Sequence, residues 1–508
     1  MPARSYSSPP SPLTVAESSG FLRTSLHADL MAFIEALRGR NDRRLAIESA
    51  GASPEGRDLP LLVLSSEGVR TPESAHGLGR PVVLTVGGIH AGEVEGKEAL
   101  LALVRDLLDG PDAGLLERIT WVVLPLFNPD GNDRIDPANR VLDLAHHEGQ
   151  DGPASGVGTR VTSAGINLNR DYMRQDSAEM RLFASRVYGR WRPHLTVDTH
   201  ATNGSVHRYA LTYDSPHTVE SGRPEPIAYV REEMLPVVRE RLRRRTGLET
   251  FWYGNFVEDE GGEGEGWMTY THHPRFGSHY RGLTGRLDIL AETYSYLPFE
   301  PRVRTSYEFV GEVLRLAAER GDALIDVVER SQEPPARIAV RYALEAFPDP
   351  VEILTFEPRV PSGKPVTVRI PHLADFRGTV IVDRPWAYAV PEPIARKLEG
   401  HGLRVVRLEK DREARIEAAT VEGFAPIPSR KILEATSLGE KELLADHRPA
   451  VRRLPAGTAV VETGQPCGAV AVYLCEARSD DGALACGWID EPKPGDEFPI
   501  LRVVEPIG

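Results

Sequence analysis

The chain has 508 residues, 41% hydrophobic and 26% charged, a length that calls for two or three domains and a composition that excludes a disordered polypeptide. Its 74 acidic side chains outnumber 60 basic ones, and the net charge of −14 argues against a general nucleic-acid binder or a cationic membrane-surface protein. No stretch approaches the roughly 18 apolar residues of a bilayer span.

Residues 1–14 are Pro- and Ser-rich with no apolar run of the signal-peptide kind. A cytoplasmic location is expected, or an extracellular or periplasmic one if translation starts elsewhere. The three cysteines, Cys467, Cys475 and Cys486, lie near the end of the chain. Their odd number and late position speak against a disulfide scaffold and a four-cysteine zinc site, and favour buried free thiols. A metal in the earlier part must be held by His and carboxylate.

Residues 1–20 read as a flexible arm. Residues 24–37 follow as a helix, with Leu30, Phe33, Ile34 and Leu37 on one face. Strands are expected at 59–65, 81–86, 121–126, 195–198 and 287–290, alternating with helices at 95–108, 177–188 and 228–245. That alternation predicts an α/β fold over residues 21–325: a mixed central sheet with helices on both faces. Ligands of such sheets bind at the carboxyl ends of the strands.

After a linker at 331–335, short strands at 351–355, 366–370 and 379–382 and a short helix at 392–399 predict a β-rich accessory domain over 336–445. A further β-like segment runs from 446 to 508.

The unusual residues follow the strand candidates. His90 and Glu93 stand three apart after Gly87-Gly88, a spacing that lets a turn aim an imidazole and a carboxylate at one ion; alone, this pattern is common. His200 follows a second β run. Two histidines and a glutamate on one sheet make a three-ligand zinc site with an open fourth position, and zinc lowers the pKa of water held there toward ~7. Asp198 either orients a ligand or caps a turn. Arg170 offers a fork suited to a carboxylate, and Asn169 adds a hydrogen bond. Glu292 closes an apolar run, so it needs a partner or a raised pKa, as a general base does.

These pieces, in this order, resemble the zinc carboxypeptidase family over about residues 20–320, in a branch with an extra C-terminal domain. The match begins at Gly51-Ala52-Ser53-Pro54-Glu55-Gly56-Arg57 and continues through His90, Glu93, Phe127-Asn128-Pro129-Asp130-Gly131, Asn169-Arg170, His200 and Glu292.

The resemblance implies one Zn²⁺ per chain on His90, Glu93 and His200, with Glu292 activating the attacking water. Asn169 and Arg170 would hold the substrate carboxylate, and Arg57 would touch the substrate further out. It also implies an arginine that stabilises the oxyanion, for which Arg160 is the candidate with Arg140 and Arg134 as rivals. A mobile tyrosine is implied too, assigned to Tyr280 with Tyr270 as alternative.

The expected function is therefore hydrolysis of the C-terminal amide bond of peptides, on a peptide or amide with a free carboxylate and with no nucleic-acid or membrane partner. The alternatives are a zinc amidase acting on cell-wall peptides or acyl-amino acids, and a non-catalytic zinc-containing binding module. Departures from the family pattern are an insertion at 135–159 containing His146-His147-Glu148, read as a polar loop, and an acidic run at 258–265.

Overall fold

The protein was analysed as a computed structural model, which describes residues 11–259, 261, 264–426 and 441–507. Strands β1 (Leu45–Ala52), β2 (Asp58–Leu64), β3 (Val82–Val86), β4 (Thr120–Leu124), β5 (Leu195–Thr202), β6 (Leu211–Asp214) and β7 (Thr250–Trp252) come first in the chain. β8 (Asn255–Phe256) and β9 (Trp267–Met268) leave their sheet for another, and β10 (Leu287–Tyr294) returns to its centre.

The result is an eight-stranded mixed sheet in the order β1-β2-β4-β3-β5-β10-β6-β7. β4, β3, β5 and β10 run parallel at its heart. The α/β expectation thus holds.

Alternation along the strands explains the two layers. Val82, Leu84 and Val86 of β3 and Val122 and Leu124 of β4 enter one core, whereas Val83, Trp121 and Val123 enter the other. The second core is covered by helices His27–Arg38, Glu95–Asp109, Leu235–Thr246 and Phe299–Glu319. Each fully buried Val or Leu contributes roughly 1.5–3 kcal/mol. No helix among the described residues is long and apolar enough to cross a membrane.

Two expectations about the ends of elements change. β5 and β10 run on beyond 198 and 290, so His200 and Glu292 lie inside strands rather than after them. Polar side chains face the cavity there, which ended the apolar pattern before the hydrogen-bonded ladder ended.

At the N-terminus, residues 1–10 of the expected arm lie outside the described residues. The remainder is held: Thr14 caps a short helix, Val15–Ser18, in a capping box, Ala16 is fully buried, and Glu17 pairs with Arg105 at 2.6 Å. Of the acidic run, Glu260, Gly262 and Glu263 lie outside the described residues.

The C-terminal region departs most from expectation. β11 (Arg337–Ala346), β12 (Val351–Glu357), β13 (Lys364–Ile370) and β14 (His372–Asp383) are followed by β15 (Ala387–Val390), β16 (Val405–Arg407), β17 (Arg412–Pro426), β18 (Lys441–Leu454), β19 (Ala459–Glu462) and β20 (Leu501–Val503). A six-stranded sheet orders them β16-β19-β15-β20-β17-β18. The expected boundary at 445/446 therefore falls within β18, which pairs antiparallel with β17.

Residues 468–475, expected as β-like, form a helix, Gly468–Cys475, with every residue buried. A helix with no polar face shows no period of 3.6 residues to read. Cys475 and Cys486 are buried and all three cysteines are free.

The two regions are also joined by a shared sheet, β11-β14-β9-β8, and by one core containing Phe183, Tyr280, Val340, Val470 and Leu474.

Candidate metal centre and its cavity

The loops at the carboxyl ends of β3, β5 and β10 surround a cavity of about 550 Å³. Gly88 shapes the first loop: its φ is +63°, and a Cβ there would lie 2.9 Å from Leu126. His90 and Glu93 follow on a turn closed by Glu93 N–H donating to His90 O at 3.0 Å. In β5, alternation sends Asp198 and His200 to the same face. Glu292 of β10 is in register beside His200.

Three side chains converge there. His90 Nδ1 lies 3.1 Å from Glu93 Oε1, His200 Nδ1 lies 3.0 Å from Glu93 Oε2, and the two Nδ1 atoms are 3.2 Å apart. The other ring nitrogens face side-chain oxygens. His90 Nε2 donates to Asn167 Oδ1 at 3.0 Å, and His200 Nε2 faces Asp198 Oδ1 at 3.4 Å.

With protons on Nε2, both Nδ1 lone pairs point at each other and at a carboxylate, an arrangement that calls for a cation. Four ligands around zinc at 2.0–2.1 Å stand about 3.3 Å from one another, close to the spacings here. The donor set thus fits a zinc ion.

The electrostatics agree with a site built for positive charge. Burial opposes charge on Glu93, but His90, His200 and Arg140 hold its pKa well below the ordinary value. Burial also opposes charge on His200, yet Asp198, Glu292 and Glu93 together hold its pKa well above the ordinary value. A proton on His200 therefore relieves the site without an ion, and a metal competes with that proton. Burial, aided by Arg160, depresses His90 to about 3, keeping it a neutral ligand. Glu292 is pushed up to about 8 by burial, with Glu93 and Asp198 adding to the effect against His200 and Arg160.

Arg160 and Arg140 both reach Glu93 Oε1 at 3.2 Å and both line the cavity. Arg134 instead pairs with Glu55 at 2.7 Å and does not line it. Arg140 comes from the 135–159 insertion and is held by Gln150 Oε1 at 3.2 Å and Ala201 O at 3.4 Å.

Asn169 and Arg170 form another part of the wall. Asn169 Oδ1 accepts from Gly277 N at 2.9 Å, and the Arg170 guanidinium lies 3.6 Å over the Phe276 ring.

Two expected site residues lie elsewhere. Tyr280 is 5% exposed in the core, its hydroxyl 2.9 Å from His401 Nδ1, so it cannot swing over a substrate; Tyr270 lines the cavity in its stead. Arg57 is outside the cavity lining and is engaged by Asp130 and Asp133 at 2.9 Å each and by Glu55 at 2.6 Å. Those carboxylates engage its Nε and Nη1 donors.

The 146–148 segment lines the mouth. Among the described residues it is not one of the two groups of three metal-donor side chains whose donor atoms come within 4.8 Å of one another; those are His90, Glu93 and His200, and His272, His273 and Asp480.

Two supports were missed in the sequence. Asn167 orients His90; its only signal was its place two residues before Asn169. Arg281, wholly buried, donates to Asp198 Oδ2 at 2.9 Å and to Tyr172 Oη at 2.8 Å and pairs with Asp288, fixing the carboxylate behind His200.

Comparison with known proteins follows the same outline. The family model described as zinc carboxypeptidase matches residues 30–194, which include His90 and Glu93 and end before His200. Carboxypeptidase 2 of Trichophyton tonsurans is 23% identical over 487 residues, covering 89% of this chain and 81% of that protein. Carboxypeptidase D of Mus musculus is 34% identical over 143 residues, 25% of this chain and 10% of that one. A solved metallo-carboxypeptidase from Burkholderia cenocepacia aligns with a TM-score of 0.41 at 19% identity, over 57% of this chain and 68% of that one.

Proposed function

We propose that this chain is an enzyme of the zinc carboxypeptidase family, whose model matches residues 30–194, and that it removes C-terminal residues from peptides using one zinc ion held by His90, Glu93 and His200. The observation that carries this reading is the register of β5 and β10, which sets Glu292 beside His200 in a cavity that also contains Asn169 and Arg170.

Zinc in such a site polarises a carbonyl and makes water acidic enough to ionise near neutral pH. The chain's own groups do the rest. Arg170, seated on Phe276, and Asn169 bind the terminal carboxylate of the peptide and so fix which amide bond lies at the centre. Arg160 and Arg140 aim guanidinium donors at the region where negative charge develops on the scissile carbonyl oxygen.

Glu292 takes the proton of the attacking water and returns it to the departing amine nitrogen. Its raised pKa makes it a good proton acceptor, and the field of a bound cation draws that pKa back toward neutrality. Asn167 and Asp198 hold the imidazoles in the tautomer that leaves Nδ1 free to ligate. Tyr270 closes the wall beside the carboxylate.

The test pairs metal content of the purified protein with hydrolysis of an N-blocked dipeptide library before and after chelation. One zinc per chain and chelator-sensitive release of the C-terminal amino acid are expected. Bound zinc with no release from any peptide would overturn the substrate assignment and direct the screen to cell-wall peptides and acyl-amino acids.

A further inference from the structure

The segment between β9 and Gly277 builds the wall that presents Tyr270 and Phe276, and the C-terminal region grips it from behind. At its start, Trp267 N–H donates to Pro371 O at 2.8 Å and Thr269 N–H to Leu373 O at 3.0 Å, so β14 carries β9.

In its middle, two consecutive aspartates reach in from the turn after helix Gly468–Cys475. Asp480 Oδ2 accepts from His272 Nε2 at 2.8 Å. Asp481 holds Arg275 twice: Oδ2 accepts from the backbone N–H at 2.6 Å, and Oδ1 forms an ion pair with Nη2 at 2.8 Å. The aspartates are themselves anchored: Asp480 N–H donates to Val340 O at 3.1 Å, and Tyr473 Oη donates to Asp480 Oδ1 at 2.7 Å.

At its end, the next two residues meet the carboxylate-binding pair. Phe276 lies under Arg170, and Gly277 N–H donates to Asn169 Oδ1.

His272, His273 and Asp480 have the side-chain types of a metal site and are near one another. Both oxygens of Asp480 are already engaged, by His272 and Tyr473, and the adjacent partner is the Arg275 cation on Asp481. The geometry is that of a clamp, not a cage.

We propose that Asp480 and Asp481 are positioning residues for substrate-carboxylate recognition: through His272 and Arg275 they fix the segment 271–277, whose Phe276 and Gly277 seat Arg170 and Asn169. The C-terminal region is then part of the specificity apparatus of the catalytic cavity. This rests on the reading that Asn169 and Arg170 bind a carboxylate.

The experiment uses the full-length, zinc-loaded protein in a Glu292→Gln background. Calorimetry compares an N-blocked dipeptide acid with its C-terminal amide, before and after Asp481→Asn and, separately, His272→Gln. The expected result is an acid affinity about tenfold weaker in each variant, as for a disturbed charged hydrogen bond, with the amide affinity within about twofold and the zinc content unchanged.

Equal weakening of acid and amide, or no change in either, overturns the proposal. Should Asp481→Asn not fold, His272→Gln decides, since it cuts the other arm of the clamp, to Asp480, without replacing a residue of the C-terminal region.

Wild-type turnover, measured in parallel, separates the two readings. Peptide hydrolysis with unaltered acid preference in the variants sinks the clamp alone. Absent hydrolysis with an acid preference that the variants lose sinks the peptidase reading alone. A parent that binds acid and amide alike removes both.

Discussion

The two halves of this protein place their polar residues by different rules. In the eight-stranded sheet, strands β3, β5 and β10 carry their reactive side chains at or just beyond one end, so His90, His200 and Glu292 each stand out against an apolar run. In the C-terminal region, the long antiparallel pair β17–β18 alternates buried and exposed positions without such punctuation. Asp480 and Asp481, which hold the cavity wall from that side, sit in an ordinary-looking Ser-Asp-Asp turn. A site assembled from strand ends is visible along one dimension. A support that acts across a domain boundary shows only when both sides are folded.

The largest effect that would test this contrast comes from removing the second half. Truncation after residue 330 strips β14 from β9 and exposes core that Phe183 and Tyr280 share with the helix Gly468–Cys475. The expected outcome is loss of cooperative unfolding in calorimetry, not a smaller active enzyme. A truncated chain that melts sharply and binds zinc would show the regions to be independent.

Next, Glu292→Gln keeps the shape of the wall but cannot accept a proton. The turnover number should fall by about 10²–10⁴-fold with zinc retained, as steady-state kinetics and metal analysis would show.

Arg170→Gln tests the part of the wall that both halves build. Loss of a charged hydrogen bond of about 1.5–3 kcal/mol should raise KM for free-acid peptides by roughly 10–150-fold, with little change in kcat.

Asn167→Ala removes the acceptor behind His90 and should weaken zinc binding by about 10–100-fold in a chelator competition.

The smallest expected effect is at the N-terminus. Thr14→Ala deletes the capping box of Val15–Ser18 and should cost about 1 kcal/mol in denaturant unfolding. No change would mean that residues 11–20 contribute little to the fold.

The sheet and the centre were legible because strand periodicity and motif order are local signals. Helix Glu95–Asp109 and strand β3 begin and end within a residue or so of where the apolar pattern places them. What escaped was set by tertiary contact. The choice between Tyr270 and Tyr280 depends on packing: helix Gly277–Leu283 is buried throughout and Tyr280 meets His401 there, whereas Tyr270, before the helix, lines the cavity. Arg57 matches a family position, yet its fork is closed by Asp130, Asp133 and Glu55, carboxylates 2 to 76 positions away in the chain. Gly468–Cys475 has no polar side to reveal its helical period. Arg281 reads as one more surface arginine until Asp198 and Asp288 surround it.

The pairing of β5 with β10 has one more consequence. Asp198 and His200 stand opposite Leu290 and Glu292, while the intervening Ile289 and Ala291 point into the core beneath. Slipping β10 by one residue would turn Glu292 inward and bring Ala291 or Thr293 to the cavity, and slipping β5 would turn His200 inward in the same way. Deletions and insertions are therefore graded unequally along this gene. The chain can lengthen in loops, as at residues 135–159, and still leave the reacting groups where they are. Inside these two strands a single added codon would misplace the core and the chemistry together, because both are measured by one ruler.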